Sequence, residues 1–276
     1  MESLKGKCVL ITGASSGIGL ALAKECALRG ADLILLARRL DRLQSVANEL
    51  KPFGTRVVVS RCDVTKEGDL ENSVSEGLRI LGRIDIVVAG AGFSIWGNLD
   101  KLTMDDYHRQ FDTNIFGVLR TIYATLSELK KNQGTLVLMG SVSGYVSLPG
   151  VSAYAMSKAA IHALARSITP ELGRHKISVV LIAPGFVESE IRRVNNYGEF
   201  QTTAIDPVSK KLQMSSQRAA QVILNATLAR KSEQVITAHG KVAVFIQRHF
   251  PWVISLLVNR QILRWRSNQS KQAKGD

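Results

Sequence analysis

The sequence predicts a doubly wound α/β fold, a seven-stranded parallel sheet with helices on both faces, as a single domain with a helical extension after the last strand. Three observations lead there. Short runs rich in β-branched residues alternate with longer stretches of helical period, the pattern of repeated βαβ units. The runs are apolar throughout, as strands buried on both faces are. The length of 276 residues suits one large domain better than two small ones.

The first run, 8–12 (Cys-Val-Leu-Ile-Thr), passes through a glycine-bearing turn into a helix over 18–29 that Gly30 stops. A second run at 32–37 precedes a helix at 40–50, and a third at 56–61 precedes one at 69–81 that ends at Gly82. Gly30 and Gly82 fit the residue after a helix, where glycine takes the left-handed conformation easily. The fourth run, 84–89, leads to a long helical stretch over 104–130, the fifth, 135–139, to one over 153–173, and the sixth, 177–182, to one over 216–230. Residues 234–236 supply the last strand. Two segments stand outside the alternation: 186–214, a candidate lid, and 240–276, a basic amphipathic extension following a single domain at 1–239.

Hydrophobic residues make up 45% of the chain and charged ones 21%, enough to bury a core and too apolar for disorder. Lys and Arg number 36 against 23 acids, a net charge of +13, which points to an anionic partner: nucleotide phosphate, nucleic acid or membrane surface. No helix-turn-helix, zinc-finger or RNP pattern accompanies the charge, so no nucleic acid is expected. The three cysteines, Cys8, Cys26 and Cys62, are odd in number and include no C-x-x-C, so neither a disulfide framework nor a metal site is expected. A reducing, cytoplasmic setting follows, since the chain start lacks an unbroken apolar run and no segment reaches the roughly 18 apolar residues of a spanning helix.

The turn after the first strand reads Thr12-Gly13-Ala14-Ser15-Ser16-Gly17-Ile18-Gly19 and opens a helix. Glycines there let the backbone approach a pyrophosphate, and the helix start offers unpaired N–H groups at the positive end of its dipole. Such glycines also serve plain tight turns, so the context decides. Where the second strand ends, an NAD site carries a carboxylate for the ribose 2′-hydroxyl, whereas this chain has Arg38 and Arg39. Guanidinium suits phosphate, so NADP(H) is the predicted cofactor, against a solvated helix start as the ordinary alternative. Asp63, closing the third strand, either accepts a hydrogen bond from an adenine amino group or caps the next helix.

Tyr154 and Lys158 stand four residues apart, on one face of a helix. A free phenol titrates near 10, too high for proton exchange at neutral pH, and a nearby ammonium favours the phenolate. A shift of about 3 units needs roughly 4 kcal/mol of differential interaction, which one lysine and a cationic nicotinamide can supply together.

Taken together, Thr12-Gly13-x-x-x-Gly17-x-Gly19, Asp63, Asn114, Ser141, Tyr154-x-x-x-Lys158 and Pro184-Gly185 resemble, in order and spacing, the short-chain dehydrogenase/reductase family over residues 5–240. The resemblance implies a Rossmann-type sheet and four catalytic roles. Ser141 orients and polarises a substrate carbonyl, and Tyr154 gives or takes the proton. Lys158 holds the nicotinamide ribose and lowers the Tyr154 pKa, and Asn114 positions a water linking Lys158 to solvent. It further implies a cofactor site made of Gly13, Ser15, Ser16, Gly17, Ile18, Gly19, Arg38, Arg39, Asp63, Val64, Ala89, Gly90, Ala91, Tyr154, Lys158, Pro184, Gly185 and Val187. One departure stands out: the family's Asn-Asn-Ala-Gly is here Ala89-Gly90-Ala91-Gly92, which predicts weaker bracing of the sheet without loss of chemistry. Ser189 replaces the more usual Thr.

Substrate binds beyond the strand carboxyl ends, where Phe93, Trp96, Tyr145 and Leu148 join Ser141 as candidate contacts for a small apolar, lipid-like carbonyl or alcohol. Packing beneath the lid is their ordinary alternative. The lid's Arg192, Arg193, Asn195 and Asn196 suit an anionic head group. In 240–276, Lys241, Arg248, Arg260, Arg264, Arg266, Lys271 and Lys274 face the single acid Asp276 and interleave with apolar runs flanked by Trp252 and Trp265. This pattern suits helices lying in an anionic membrane surface, with a subunit contact or a flap over the substrate mouth as alternatives. The expected protein is an NADP(H)-dependent oxidoreductase of lipid metabolism, a homo-oligomer (dimer or tetramer), cytoplasmic with peripheral membrane attachment. The alternative is a dinucleotide sensor that keeps the fold without turnover.

Overall fold

The computed structural model of the chain describes residues 2–258. Seven parallel strands, β1 (Cys8–Thr12), β2 (Asp32–Ala37), β3 (Val57–Arg61), β4 (Ile86–Ala89), β5 (Thr135–Met139), β6 (Ser178–Ala183) and β7 (Glu233–Val235), form one sheet in the order β3-β2-β1-β4-β5-β6-β7. All seven lie within two residues of the expected runs. The helices are α1 (Gly17–Leu28), α2 (Leu40–Leu50), α3 (Asp69–Leu81), α4 (Met104–Phe111), α5 (Gly117–Asn132), α6 (Ser152–Gly173), α7 (Ser216–Leu228), α8 (Ala238–His249) and, after a bend of 113°, α9 (Pro251–Val258).

The apolar strand runs are explained by two cores. Successive side chains of a strand point to opposite faces. Val9 and Ile11 of β1 therefore join Leu33 and Leu35 of β2 against α1, α2 and α7, while Cys8 and Leu10 join Ile34 and Leu36 against α3, α5 and α6. Each fully buried Leu or Ile contributes about 1.5–3 kcal/mol of transfer free energy. The chain lays β2 and β3 on one side of β1, then crosses back to place β4 on the other. The crevice between β1 and β4 at their carboxyl ends is thus the switch point at which such sheets bind ligands.

The long helical stretch predicted at 104–130 is present but not uniform. Asp112–Phe116 forms a π-helical turn between α4 and α5, with Asn114 fully buried within it. The C-terminal part also differs from expectation. A division at 239/240 falls inside the first turn of α8, where Thr237 caps the helix by accepting from the Gly240 N–H at 3.3 Å. Gly240 is packed so closely that a Cβ there would lie 2.7 Å from Val142 Cγ2, and Arg248 pairs with Glu233 of β7 at 2.7 Å. Close packing and this ion pair fasten α8 to the sheet domain. Arg260, Arg264, Trp265, Arg266, Lys271 and Lys274 lie outside the described residues.

The turn Ala89-Gly90-Ala91-Gly92 is braced by Thr12, whose hydroxyl accepts from the N–H of Gly90 at 3.0 Å and of Ala91 at 3.1 Å. Thr12→Val keeps the shape and removes that acceptor, so the variant is expected to lose about 1–3 kcal/mol of unfolding free energy in a denaturant titration. An unchanged midpoint would mean the brace lies elsewhere.

Candidate active site

Where β1 passes into α1 the backbone is bare. Gly13 has φ +74°, and a Cβ on it would come within 2.9 Å of Ala91 Cα; a Cβ on Gly19 would strike the Gly13 carbonyl. No side chain caps the first turn of α1, so its N–H groups stay open to an anion. These features fit the pyrophosphate of a dinucleotide. Val187 lies just after the end of β6. Its bridge to Met214 uses the Phe186 carbonyl and the Glu188 N–H, which turns the Val187 peptide groups away from Met214, and its carbonyl accepts from Arg192.

At the end of β2, Arg38 Nη2 donates to the Gly198 carbonyl at 2.6 Å, and Arg39 Nη2 donates to Ser15 Oγ at 3.2 Å and Ser16 Oγ at 3.1 Å. Both terminal nitrogens of Arg39 donate to Glu190 Oε2, at 3.0 and 3.1 Å, and Arg42 donates to Glu190 Oε1 at 2.6 Å. Arg39 thus reaches the glycine turn, Arg38 turns to Gly198 instead, and Arg42 and Glu190 were not foreseen. Burial would raise the Glu190 carboxyl, but hydrogen bonds from Arg42 and Arg39 outweigh it and hold the group below the usual carboxylate range. Asp63 does not cap the next helix, whose N-cap is Gly68; its Oδ1 accepts from the Thr65 N–H at 3.0 Å and hydroxyl at 2.8 Å within the loop that precedes α3.

The reaction-centre residues lie on α6, the π turn and the end of β5. Ser141 Oγ accepts from the Ser143 N–H at 3.0 Å, fixing the hydroxyl at the mouth of the cleft. Burial raises the Tyr154 phenol above its ordinary value, and the Ser141 hydroxyl and Arg192 charge pull the other way. The lowering expected from Lys158 is not what the protein by itself shows. Lys158 Nζ stands 5.6 Å from the Tyr154 ring centre and donates to the Met139 carbonyl at 2.8 Å, so its proton points at the end of β5. Burial lowers this ammonium to about 8.

The hydrogen bonds of Asn114 go to partners other than Lys158. Its Oδ1 accepts from the Phe93 N–H at 3.1 Å, and its Nδ2 donates to the Phe93 carbonyl at 3.1 Å and to Ser157 Oγ at 3.0 Å. The wide π turn aims this amide at the β4 loop and at α6 together, and both Asn114 and Lys158 close on Gly92. His162, missed from the sequence, stands one further turn along α6. Its Nε2 accepts from the Ser141 N–H at 3.3 Å, and burial lowers its pKa to about 4, so it stays a neutral acceptor. The signal was the spacing Tyr154, Lys158, His162, every fourth residue on one helix face.

Among the expected substrate contacts, Trp96 and Leu148 are exposed, on two loops joined by a hydrogen bond from the Gly97 N–H to the Gly150 carbonyl. Phe93 instead fills a small core with Ile95 and Ala153, and its backbone serves as the clamp for Asn114. Tyr145 turns away as well, its ring 4.3 Å from that of His162 and beneath the Arg248 guanidinium at 5.1 Å. The lid's polar groups are largely taken up by the lid. Arg192 pairs with Asp206 at 2.7 Å, Arg193 donates to the Thr202 and Ala204 carbonyls, and Asn196 binds the Trp96 backbone, which leaves little for a head group.

The family model for short chain dehydrogenase matches residues 7–199. The chain belongs to the short-chain dehydrogenase family. It is 34% identical over 200 residues to an uncharacterized oxidoreductase of Staphylococcus epidermidis, covering 72% of this chain and 86% of that one. It is 39% identical over 194 residues to 11-beta-hydroxysteroid dehydrogenase 1A of Arabidopsis thaliana, covering 69% of this chain and 55% of that one. The chain thus spans about half the length of the plant relative. Among solved structures, an alcohol dehydrogenase from the archaeon Thermococcus sibiricus, complexed with 5-hydroxy-NADP, superposes with TM-score 0.74 at 28% identity, over 84% of this chain and 96% of that one. This short-chain dehydrogenase is an oxidoreductase with a fold that binds a nicotinamide dinucleotide.

Burying the Lys158 ammonium has a cost that depends on pH. Its pKa falls from 10.5 to about 8 on folding. The cost is absent above 10.5, where the group is neutral folded and unfolded, grows as pH falls toward 8, and is constant below that. Lys158→Met is therefore expected to raise the Tm at pH 7, with the gain shrinking as pH rises through 8 to 10.5. Melting curves across that range check it, and a gain independent of pH would refute the assignment.

Proposed function

We propose that this short-chain dehydrogenase interconverts a carbonyl and an alcohol on a small apolar, lipid-like substrate, with NADP(H) as cofactor. The observation carrying the reading is that the Ser141 hydroxyl stands at the Tyr154 phenol while Arg39 reaches the glycine turn whose close backbone packing excludes a Cβ at Gly13 and Gly19. Guanidinium groups at that position suit a 2′-phosphate. The exposed Trp96, Leu148 and Phe186 support an apolar substrate, as does the similarity to a hydroxysteroid dehydrogenase.

A bound nicotinamide dinucleotide supplies or accepts the hydride. Ser141 Oγ donates a hydrogen bond to the substrate oxygen and sets its position. Tyr154 delivers the proton to that oxygen in reduction and removes it in oxidation. Lys158 is assigned the nicotinamide ribose and the stabilisation of the phenolate, and Asn114 the water that links Lys158 to solvent. The remaining cofactor contacts assigned on the family resemblance are Ile18, Val64, Ala89, Pro184 and Gly185.

Two surfaces suggest partners. Met104, Phe116, Tyr123 and Met156, exposed on or between α4, α5 and α6, suit a second copy of the chain. On α8 and α9, Val242, Phe245, Phe250, Trp252, Leu256 and Leu257 are exposed and suit the apolar layer of an anionic membrane surface. Among the described residues no single helix is long and apolar enough to cross a membrane, although the bent pair α8 and α9 reaches that length and composition together.

Tyr154→Phe removes the transferable proton and keeps the ring. Assayed on a panel of ketones, aldehydes and alcohols, it should lower kcat by about 10²–10⁴-fold with cofactor binding retained. Near-normal turnover would refute the proton assignment, and a parent protein that binds NADP tightly yet turns over nothing on the panel would favour the sensor alternative.

A chain ending after Phe250 keeps α8 on the domain and loses α9 with all that follows. The full chain is expected to sediment with anionic liposomes and to be partly released by high salt, which screens the charges and spares the apolar burial. The shortened chain should stay in the supernatant; equal sedimentation of the two would sink the membrane reading.

A further inference from the structure

Glu190 opens the 3₁₀ turn Glu190–Arg193 at the start of the lid, yet its carboxylate belongs to the arginine cluster. One oxygen accepts from both terminal nitrogens of Arg39, at 3.0 and 3.1 Å, and the other from Arg42 at 2.6 Å. Through Arg39 it reaches the glycine turn, since the same Nη2 donates to the hydroxyls of Ser15 and Ser16. The residue before it, Ser189, backs onto that turn, where a Cβ on Gly17 would lie 3.1 Å from Ser189 Cβ. The rest of the lid's first half is fastened to the same arginines: Arg38 donates to the Gly198 carbonyl at 2.6 Å, and the Arg42 guanidinium lies 5.3 Å over the Phe200 ring. Three guanidinium groups that flank the predicted 2′-phosphate therefore also hold the lid down, and the one carboxylate among them is a lid residue.

We propose that Glu190 is an internal stand-in for the cofactor's 2′-phosphate, latching residues 189–200 onto Arg39 and Arg42 until a 2′-phosphorylated nucleotide displaces it. The proposal rests on the reading of Arg38 and Arg39 as phosphate-binding residues and adds what that reading lacks, a cause for lid movement. A phosphate monoester carries about −1.5 to −2 charge at neutral pH and three acceptor oxygens, against one charge and two oxygens for the carboxylate. It wins the arginines, and Glu190 leaves with its segment of lid. A nucleotide with a free 2′-hydroxyl offers no competing anion at that point, so the latch stays closed. The latch lowers NADP(H) affinity and in exchange makes lid release conditional on the phosphate.

The test compares the parent protein with Glu190→Gln, using calorimetry for NADP⁺, NAD⁺ and 2′,5′-ADP, and trypsin cleavage in the lid at Arg192, Arg193, Lys210 and Lys211. The variant is expected to bind NADP⁺ and 2′,5′-ADP about 3- to 10-fold more tightly, with NAD⁺ unchanged. In the parent, 2′,5′-ADP should speed cleavage of the lid; the variant should be cut quickly with or without it. Unchanged or weaker NADP⁺ binding in Glu190→Gln, an equal gain for NAD⁺, or parental cleavage indifferent to 2′,5′-ADP overturns the latch. A parent that binds NAD⁺ as well as NADP⁺ and ignores 2′,5′-ADP overturns the cofactor reading, and the latch falls with it. A parent that prefers NADP⁺, paired with a variant that behaves like it, overturns the latch alone.

Discussion

No atom larger than hydrogen fits on the Cα of Gly13 or Gly19, and much else depends on that exclusion. At Gly13 the turn after β1 lies against the backbone of Ala91 after β4, and at Gly19 the first turn of α1 lies against the Gly13 carbonyl. Backbone packed on backbone in this way keeps the two strand ends together where the order of the sheet reverses. It also leaves the α1 N–H groups open, because no side chain occupies their approach. The contact is steric before it is electrostatic. Thr12 then completes it with the polar brace to Gly90 and Ala91.

A second constraint comes from α6, which faces the core with a stripe of polar groups. Tyr154, Lys158 and His162 repeat every four residues, and Ser157 lies beside them. Buried polar groups mostly find partners, and here the partners are the surrounding loops: Met139 for Lys158, Ser141 for the Nε2 of His162, Asn114 for Ser157, while the His162 Nδ1 is left without one. The same bonds that satisfy the helix therefore position the loop after β5 and the π turn. Burial moves all three ionisable groups toward their neutral forms, the phenol upward, the ammonium to about 8 and the imidazole to about 4. A phenol in that setting releases its proton only when positive charge is brought close to it. In the protein by itself the Lys158 ammonium is instead held by the Met139 carbonyl.

The sheet was legible because a parallel strand buried on both faces has to be apolar throughout, and Leu33–Leu36 shows that pattern to the residue. The motif residues were legible because their spacing is imposed by one turn of helix, for Tyr154 and Lys158, or by one tight turn, for Gly13 to Gly19. The side chains on loops were less so. Phe93 and Tyr145 were read as substrate contacts because they are large, apolar and beyond the strand ends, yet the same properties suit them to packing, and packing against Ile95 and His162 prevailed. Asn114 was expected in an ordinary helix; the π turn that aims it depends on bonds to Phe93 and Ser157, partners 21 and 43 residues away. Arg248 was counted among unpaired tail cations, and its partner Glu233 became visible only once α8 folded back on β7.

That last pairing sharpens what the net charge of +13 means. An excess of cations carries information only where it is not cancelled locally. Arg192 is matched by Asp206, Arg248 by Glu233 and Arg56 by Asp32, so these sites present little net field. Around Glu190 the balance is different: Arg39 and Arg42 share its one carboxylate, while Arg38 is bound to a neutral carbonyl. Two guanidinium charges against one carboxylate leave a positive excess there, and it adjoins the glycine turn through Arg39. The resident carboxylate sits on the segment after β6, so one set of charges joins that segment to the glycine turn.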